Sequence, residues 1–115
     1  MIVSYHKRLK NNLSSKEAMK ISYGTLASKV ELRIDQLRAA NDMQILRKTL
    51  KGVKSARLHA YKGKEMGTFS LDITRTNVRL LFKAAHRKEE YIRDNEIIWH
   101  AITEVEITTI KGIHS

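Results

Sequence analysis

The hydrophobic period of this chain changes once along its length, and that change limits the fold more than any other feature. Within residues 16–40, Met19, Tyr23, Leu26, Val30, Ile34 and Leu37 recur every three or four positions, as on one face of a helix. Lys20, Lys29, Arg33 and Arg38 fall on or near the other face. The segment reads as an amphipathic helix, or as two helices broken near Tyr23-Gly24, because Gly is costly inside a helix. Ser14 with Glu17 has the spacing of a capping box. Asn41-Asp42 is a break and a cap. Residues 43–50 form a short helix with Met43, Leu46 and Leu50 inward, ended by Lys51-Gly52.

Beyond that point the period falls to two. Phe69, Leu71 and Ile73 alternate with Ser70, Asp72 and Thr74, the pattern of a strand with one buried face. Arg75-Thr76-Asn77 is a tight turn, and residues 78–83 return with Val78, Leu80 and Phe82 inward. Residues 56–61 and 104–110 read as further strands, and residues 2–5 as an edge strand. Residues 86–94 are charged and read as an insertion loop, while residues 96–102 fit either strand or helix. Helices followed by a run of strands indicate an α+β fold, with the N-terminal strand and helices packed on one face of a mainly antiparallel sheet. The other sheet face is left available.

Strand parity then says which side chains meet on that open face. If Leu58 and Ala60 join the core, Arg57 and His59 lie on the face shared by Arg79, Leu81 and Lys83. The last strand, read with the same parity, brings His114 to it unless Gly112 resets the phase. The expected cluster is Arg57, His59, Lys62, Arg79 and His114. Imidazoles and fixed cations suit cleavage of RNA by its own 2′-hydroxyl. Such a reaction needs a proton acceptor, a proton donor and positive charge at the phosphorane. Passive phosphate binding needs only the cations. Tyr91, Trp99 and His100 are aromatic groups that could stack on bases, or simply pack the insertion.

Charge narrows the partner. The net charge is +10, and residues 1–64 hold 15 Lys and Arg against 4 Asp and Glu, while residues 65–115 hold 7 against 8. A basic half of that density is a common footprint of nucleic-acid binding. Lys51, Lys54 and Lys64 in the basic half and Lys83 beyond it are candidate RNA contacts beside Arg57. At 115 residues, 42% hydrophobic, the chain is expected to be one domain, 1–115, with an insertion around 86–100. The lack of Cys rules out disulfides and thiolate zinc sites and fits a cytoplasmic protein. No run is long and apolar enough for a secretory signal or a membrane span. Phosphate-binding glycine loops and zinc-spaced histidines are missing too, so no cofactor and no metal are expected.

Three segments carry a resemblance. The runs Ala56-Arg57-Leu58-His59-Ala60-Tyr61-Lys62-Gly63-Lys64, Gly67-Thr68-Phe69-Ser70-Leu71 and Asn77-Val78-Arg79-Leu80-Leu81-Phe82 resemble, in order and spacing, the HigB-type killer toxins of the RelE/ParE superfamily. Met1-Ile2 with Ser4-Tyr5, and a closing strand ending in His114, fit as well. The resemblance covers nearly the whole chain outside roughly 86–100. It implies a RelE-like α+β fold and a toxin that cuts translated mRNA on the ribosome, with 16S rRNA contacts. A small helix-turn-helix antitoxin of HigA type would neutralise it. By position, His59 corresponds to the family's proton-transfer His, Lys62 to its phosphate-binding Lys, Arg79 to its transition-state Arg and His114 to its C-terminal His. The chain departs from the pattern at Val78, where the family has Trp. It departs again at Lys111-Gly112-Ile113, where an acidic or aromatic residue often precedes the last His. Two other readings share these features: a non-catalytic inhibitor of the gyrase-poisoning ParE type, and a small basic module that binds RNA or the ribosome.

Overall fold

A computed structural model describes residues 1–73 and 77–112. Arg75 and Thr76 of the expected turn, and His114, lie outside the described residues.

The helical half follows its spacing closely. The segment is two helices, α1 (Lys16–Tyr23) and α2 (Ala27–Ala39), joined by a single tight turn. The break falls at Gly24, whose φ of 57° is open to glycine and strained for most other residues. The cap of α1 corrects the expectation by one residue. Ser15, not Ser14, accepts from the backbone of Ala18, so Glu17 lies in the first turn and closes no capping box. Asp42 caps α3 (Met43–Leu50) as expected, its Oδ1 accepting from Ile45 at 2.9 Å. Val30, Ile34, Leu37, Met43 and Leu46 are fully buried.

Arg33 departs from its expected place. It is 2% exposed and belongs to the buried side of α2. Its spacing of three from Val30 and four to Leu37 already put it on the apolar face. A cation there is tolerable only with its donors satisfied. Nε donates to the Asp72 carbonyl at 2.8 Å, one terminal nitrogen to Gln36 at 3.0 Å and the other to Ser55 at 3.2 Å. Burial lowers the pKa of its guanidinium, and the nearby Asp72 charge opposes that shift.

The sheet runs in the order β1-β7-β4-β3-β2. These strands are β1 (Ile2–Tyr5), β2 (His59–Ala60), β3 (Thr68–Asp72), β4 (Val78–Ala84) and β7 (Glu104–Gly112). All its pairings are antiparallel except β1 with β7. Phe69, Leu71, Ile73, Leu80 and Phe82 are fully buried, as their alternation requires, and Phe69 and Phe82 stack at 5.4 Å. The strand expected over 56–61 shrinks to two residues. Arg57 has φ of 24°, which no strand residue adopts, so the chain turns there.

Between β4 and β7 the expected loop is ordered secondary structure. A short helix α4 (Lys88–Tyr91) leads into a hairpin of β5 (Ile92–Arg93) and β6 (Glu96–Ile97). Asp94 and Asn95, both at positive φ, form its two-residue turn. Residues 99–101 form one further tight turn, which resolves the strand-or-helix ambiguity of residues 96–102. Tyr91 is buried, and burial raises the pKa of its phenol. A Cβ on Gly67, at φ 103°, would run into the Tyr91 hydroxyl and ring. Gly67→Ala is therefore expected to cost about 3 kcal/mol through backbone strain and overpacking, read as a lower urea midpoint. No helix among the described residues is long and apolar enough to cross a membrane.

Candidate functional site: a cationic cleft beside the edge strand

The register of the sheet builds the site. Asp72 on β3 lies directly opposite Arg79 on β4, and Arg79 lies opposite Lys111 on β7. Two residues away along β3, Ser70 lies between His59 on β2 and Leu81 on β4. Side chains two apart share a face, so His59, Ser70, Asp72, Arg79 and Lys111 lie on one side of the sheet.

Asp72 is the centre of the row. Its Oδ2 accepts from Arg57 Nε at 2.8 Å, and its Oδ1 is 3.4 Å from Arg79 Nε. The Arg57 contact is a hydrogen-bonded ion pair. The Arg79 contact has charge proximity without hydrogen-bond alignment, and that buried Nε has no hydrogen-bond partner among the described residues. Arg79 is therefore held in place by charge through its buried Nε, while the residue itself lines the cleft described below. Arg57 joins this row from the turn before β2 and not by strand parity. The Asp72 backbone N–H bonds to the Ala56 carbonyl at 2.7 Å and brings that turn against β3.

This face is not the bare surface expected. Ser70 is 1% and Asp72 6% exposed. Both line a cleft of about 1420 Å³ that also includes Arg57, His59 and Arg79. A second wall comes from α3 and the loop after it, with Arg47, Lys48, Lys51 and Lys54. The hairpin segment adds Ile97, Ile98, Trp99 and His100. Asp72 is the sole carboxylate among the lining residues, against six Lys and Arg, and it is already engaged with two of them. An anion is the ligand such a lining favours.

The expected site residues separate into groups. Arg57, His59 and Arg79 come together in the cleft, along with Lys51 and Lys54. His59 is exposed and meets Tyr61 edge-on at 5.1 Å. Lys62 precedes a turn at residues 63–65 and Lys64 lies within it; both are exposed and outside the lining of the cleft. Lys83 sits at the other end of β4, 3.4 Å from Glu106. Sequence reasoning assigned no part to Asp72, Arg47 or Lys48. Asp72 had a signal, since it is the only acid among the outward positions of its strand. The α3 cations had none, because no local pattern places that helix beside β2. Trp99 packs against Phe69, with centroids 5.4 Å apart, and Tyr91 is buried, which bears out their packing role. Among the described residues, no three His, Asp or Glu side chains are grouped to hold a metal ion.

No family model matches the chain, and no curated protein matches it. Among solved structures the fold is similar to that of one named toxin. A YoeB/ParE toxin from Agrobacterium tumefaciens aligns with 99% of this chain and 100% of its own, with a TM-score of 0.50 and 12% identity. The likeness is one of fold, and it agrees with the RelE-like α+β architecture expected from the sequence.

Proposed function

We propose that this chain is the toxin of a toxin–antitoxin pair and an endoribonuclease that cuts mRNA during translation. The single observation that supports it best is the Arg57–Asp72–Arg79 row beside His59 in a cleft lined by cations. The fold shared with a YoeB/ParE toxin and the HigB-type motifs around His59 and Arg79 point the same way.

The chemistry is an in-line displacement. The ribose 2′-oxygen bonds to phosphorus and the bond to the 5′-oxygen breaks, leaving a 2′,3′-cyclic phosphate and a 5′-hydroxyl. One proton leaves the 2′-hydroxyl and one is delivered to the 5′-oxygen. His59 takes one of these transfers, and His114 is proposed for the other. Arg79 neutralises the charge that builds on the phosphorane oxygens, and Asp72 fixes Arg79 and Arg57 so that little reorganisation accompanies that step. Lys62 is proposed to grip an adjacent phosphate. Lys51, Lys54, Lys64 and Lys83 are proposed to track the message and the 16S rRNA. A small helix-turn-helix antitoxin is the expected neutralising partner.

Expression of the chain without an antitoxin should arrest growth, and primer extension should map cuts inside translated codons that vanish when translation is blocked. Growth arrest with intact mRNA and a DNA-damage response would transfer the chain to the gyrase-poisoning class. Normal growth with intact mRNA would leave a binding module.

A further inference from the structure

The part of the cleft formed by α3 and the segment before β7 has its own construction. Trp99, from the segment between β4 and β7, meets two partners. Phe69 lies against it at 5.4 Å with a tilt of 53°, and the guanidinium carbon of Arg47 on α3 lies 4.6 Å above its ring centre. The two elements are tied at their bases, where the Met43 backbone N–H donates to the Ile102 carbonyl at 3.0 Å. A core aromatic thus holds the indole, and the indole holds the guanidinium by cation–π attraction. Arg47 is exposed, lines the cleft and makes no ion pair among the described residues. A guanidinium parked on a ring without a carboxylate keeps its outer side available. Lys51 follows four residues later, about 6 Å further along the axis of α3 and on the same side.

A planar cation with a neighbouring ammonium in a groove without unengaged carboxylates matches one ligand well. A base of single-stranded nucleic acid stacks on such a plane while its phosphates meet the ammonium groups. We infer that the Arg47–Trp99 pair is a stacking platform for one nucleobase of single-stranded RNA, held in the same cleft as the Arg79 row. The inference rests on the ribonuclease reading for its choice of RNA, and it adds a base subsite to a site otherwise built to hold phosphate.

Trp99 is the only tryptophan of the chain, so its fluorescence reports on this position alone. The full chain is titrated with a short single-stranded RNA and with the same oligomer carrying abasic positions. The base-bearing oligomer should change Trp99 emission and bind about ten-fold more tightly than the oligomer whose stacked base is removed. Arg47→Lys keeps the charge and loses the plane. It should lose that ten-fold while keeping the dependence of affinity on salt. Arg47→Leu should also flatten the salt dependence by roughly 0.7 in slope. Equal binding of abasic and base-bearing oligomers, wild-type affinity in Arg47→Lys, or no binding at all would overturn the platform. The ribonuclease reading fails separately. A chain that binds the oligomer through Arg47 and its bases but cuts no translated mRNA keeps the platform and loses the nuclease.

Discussion

Arg79→Ala is expected to abolish mRNA cleavage and growth arrest in a chain that still folds. The catalytic effect follows from position. Arg79 lines the cleft, and the ion pair of its Nε with Asp72 fixes it there. Removing one preorganised donor aimed at developing charge typically slows a reaction about 10²–10³-fold. The structural effect should be small. Arg79 is half-buried, Asp72 keeps its 2.8 Å pair with Arg57, and the Asp72 carbonyl keeps Arg33. Ion pairs this accessible contribute about 1 kcal/mol or less. Arg79→Lys should recover only part of the activity, because an ammonium cannot offer two parallel donors to a phosphate. Primer extension on translated mRNA, beside a thermal melt of each variant, separates the two effects. Undiminished toxicity in Arg79→Ala would remove Arg79 from the chemistry.

The second large effect is on stability. Arg33→Met should cost about 3 kcal/mol, a drop in Tm on the order of 10–15 °C for a chain of this size. Met has nearly the reach of Arg and fills most of its volume, so the loss comes from hydrogen bonds more than from a cavity. Without Arg33, the Asp72 carbonyl loses its side-chain donor, and Gln36 and Ser55 lose their partner. Two of these bonds join α2 to the loop that holds Ser55 and to the end of β3. That junction supports Asp72 and, through it, Arg57 and Arg79. Arg33→Met should therefore also weaken cleavage at temperatures where the chain remains folded. Arg33→Lys should restore little of either, since one ammonium cannot reach three acceptors in three directions. An unchanged melt in Arg33→Met would show that burial of the charge cancels its hydrogen bonds.

Arg33 shows how a residue's type and its position can point in opposite directions. Its spacing on α2 is that of a core residue, while the chemistry of a guanidinium favours solvent. Arg57 shows the converse. Its membership of the cationic row was expected from strand parity, but the chain is not a strand at Arg57. It reaches Asp72 because a backbone hydrogen bond draws its turn against β3. The hairpin at residues 92–97 was legible in principle from Asp94-Asn95, a turn pair suited to positive φ, but the surrounding charges suggested a loop.

Local periodicity by itself determined where helices give way to strands, which side chains enter the core, and that Arg79 and His59 lie on the same side of the sheet. Those are properties of neighbours in sequence, and the apolar pattern records them because burial must repeat with the geometry of each element. Tertiary structure alone decided that one carboxylate gathers Arg57 and Arg79, that a buried Arg33 supports it from the helical layer, and that α3 and the hairpin close the far wall. These contacts join segments many residues apart. Their energy depends on desolvation and on directions in space, which no spacing along a chain encodes.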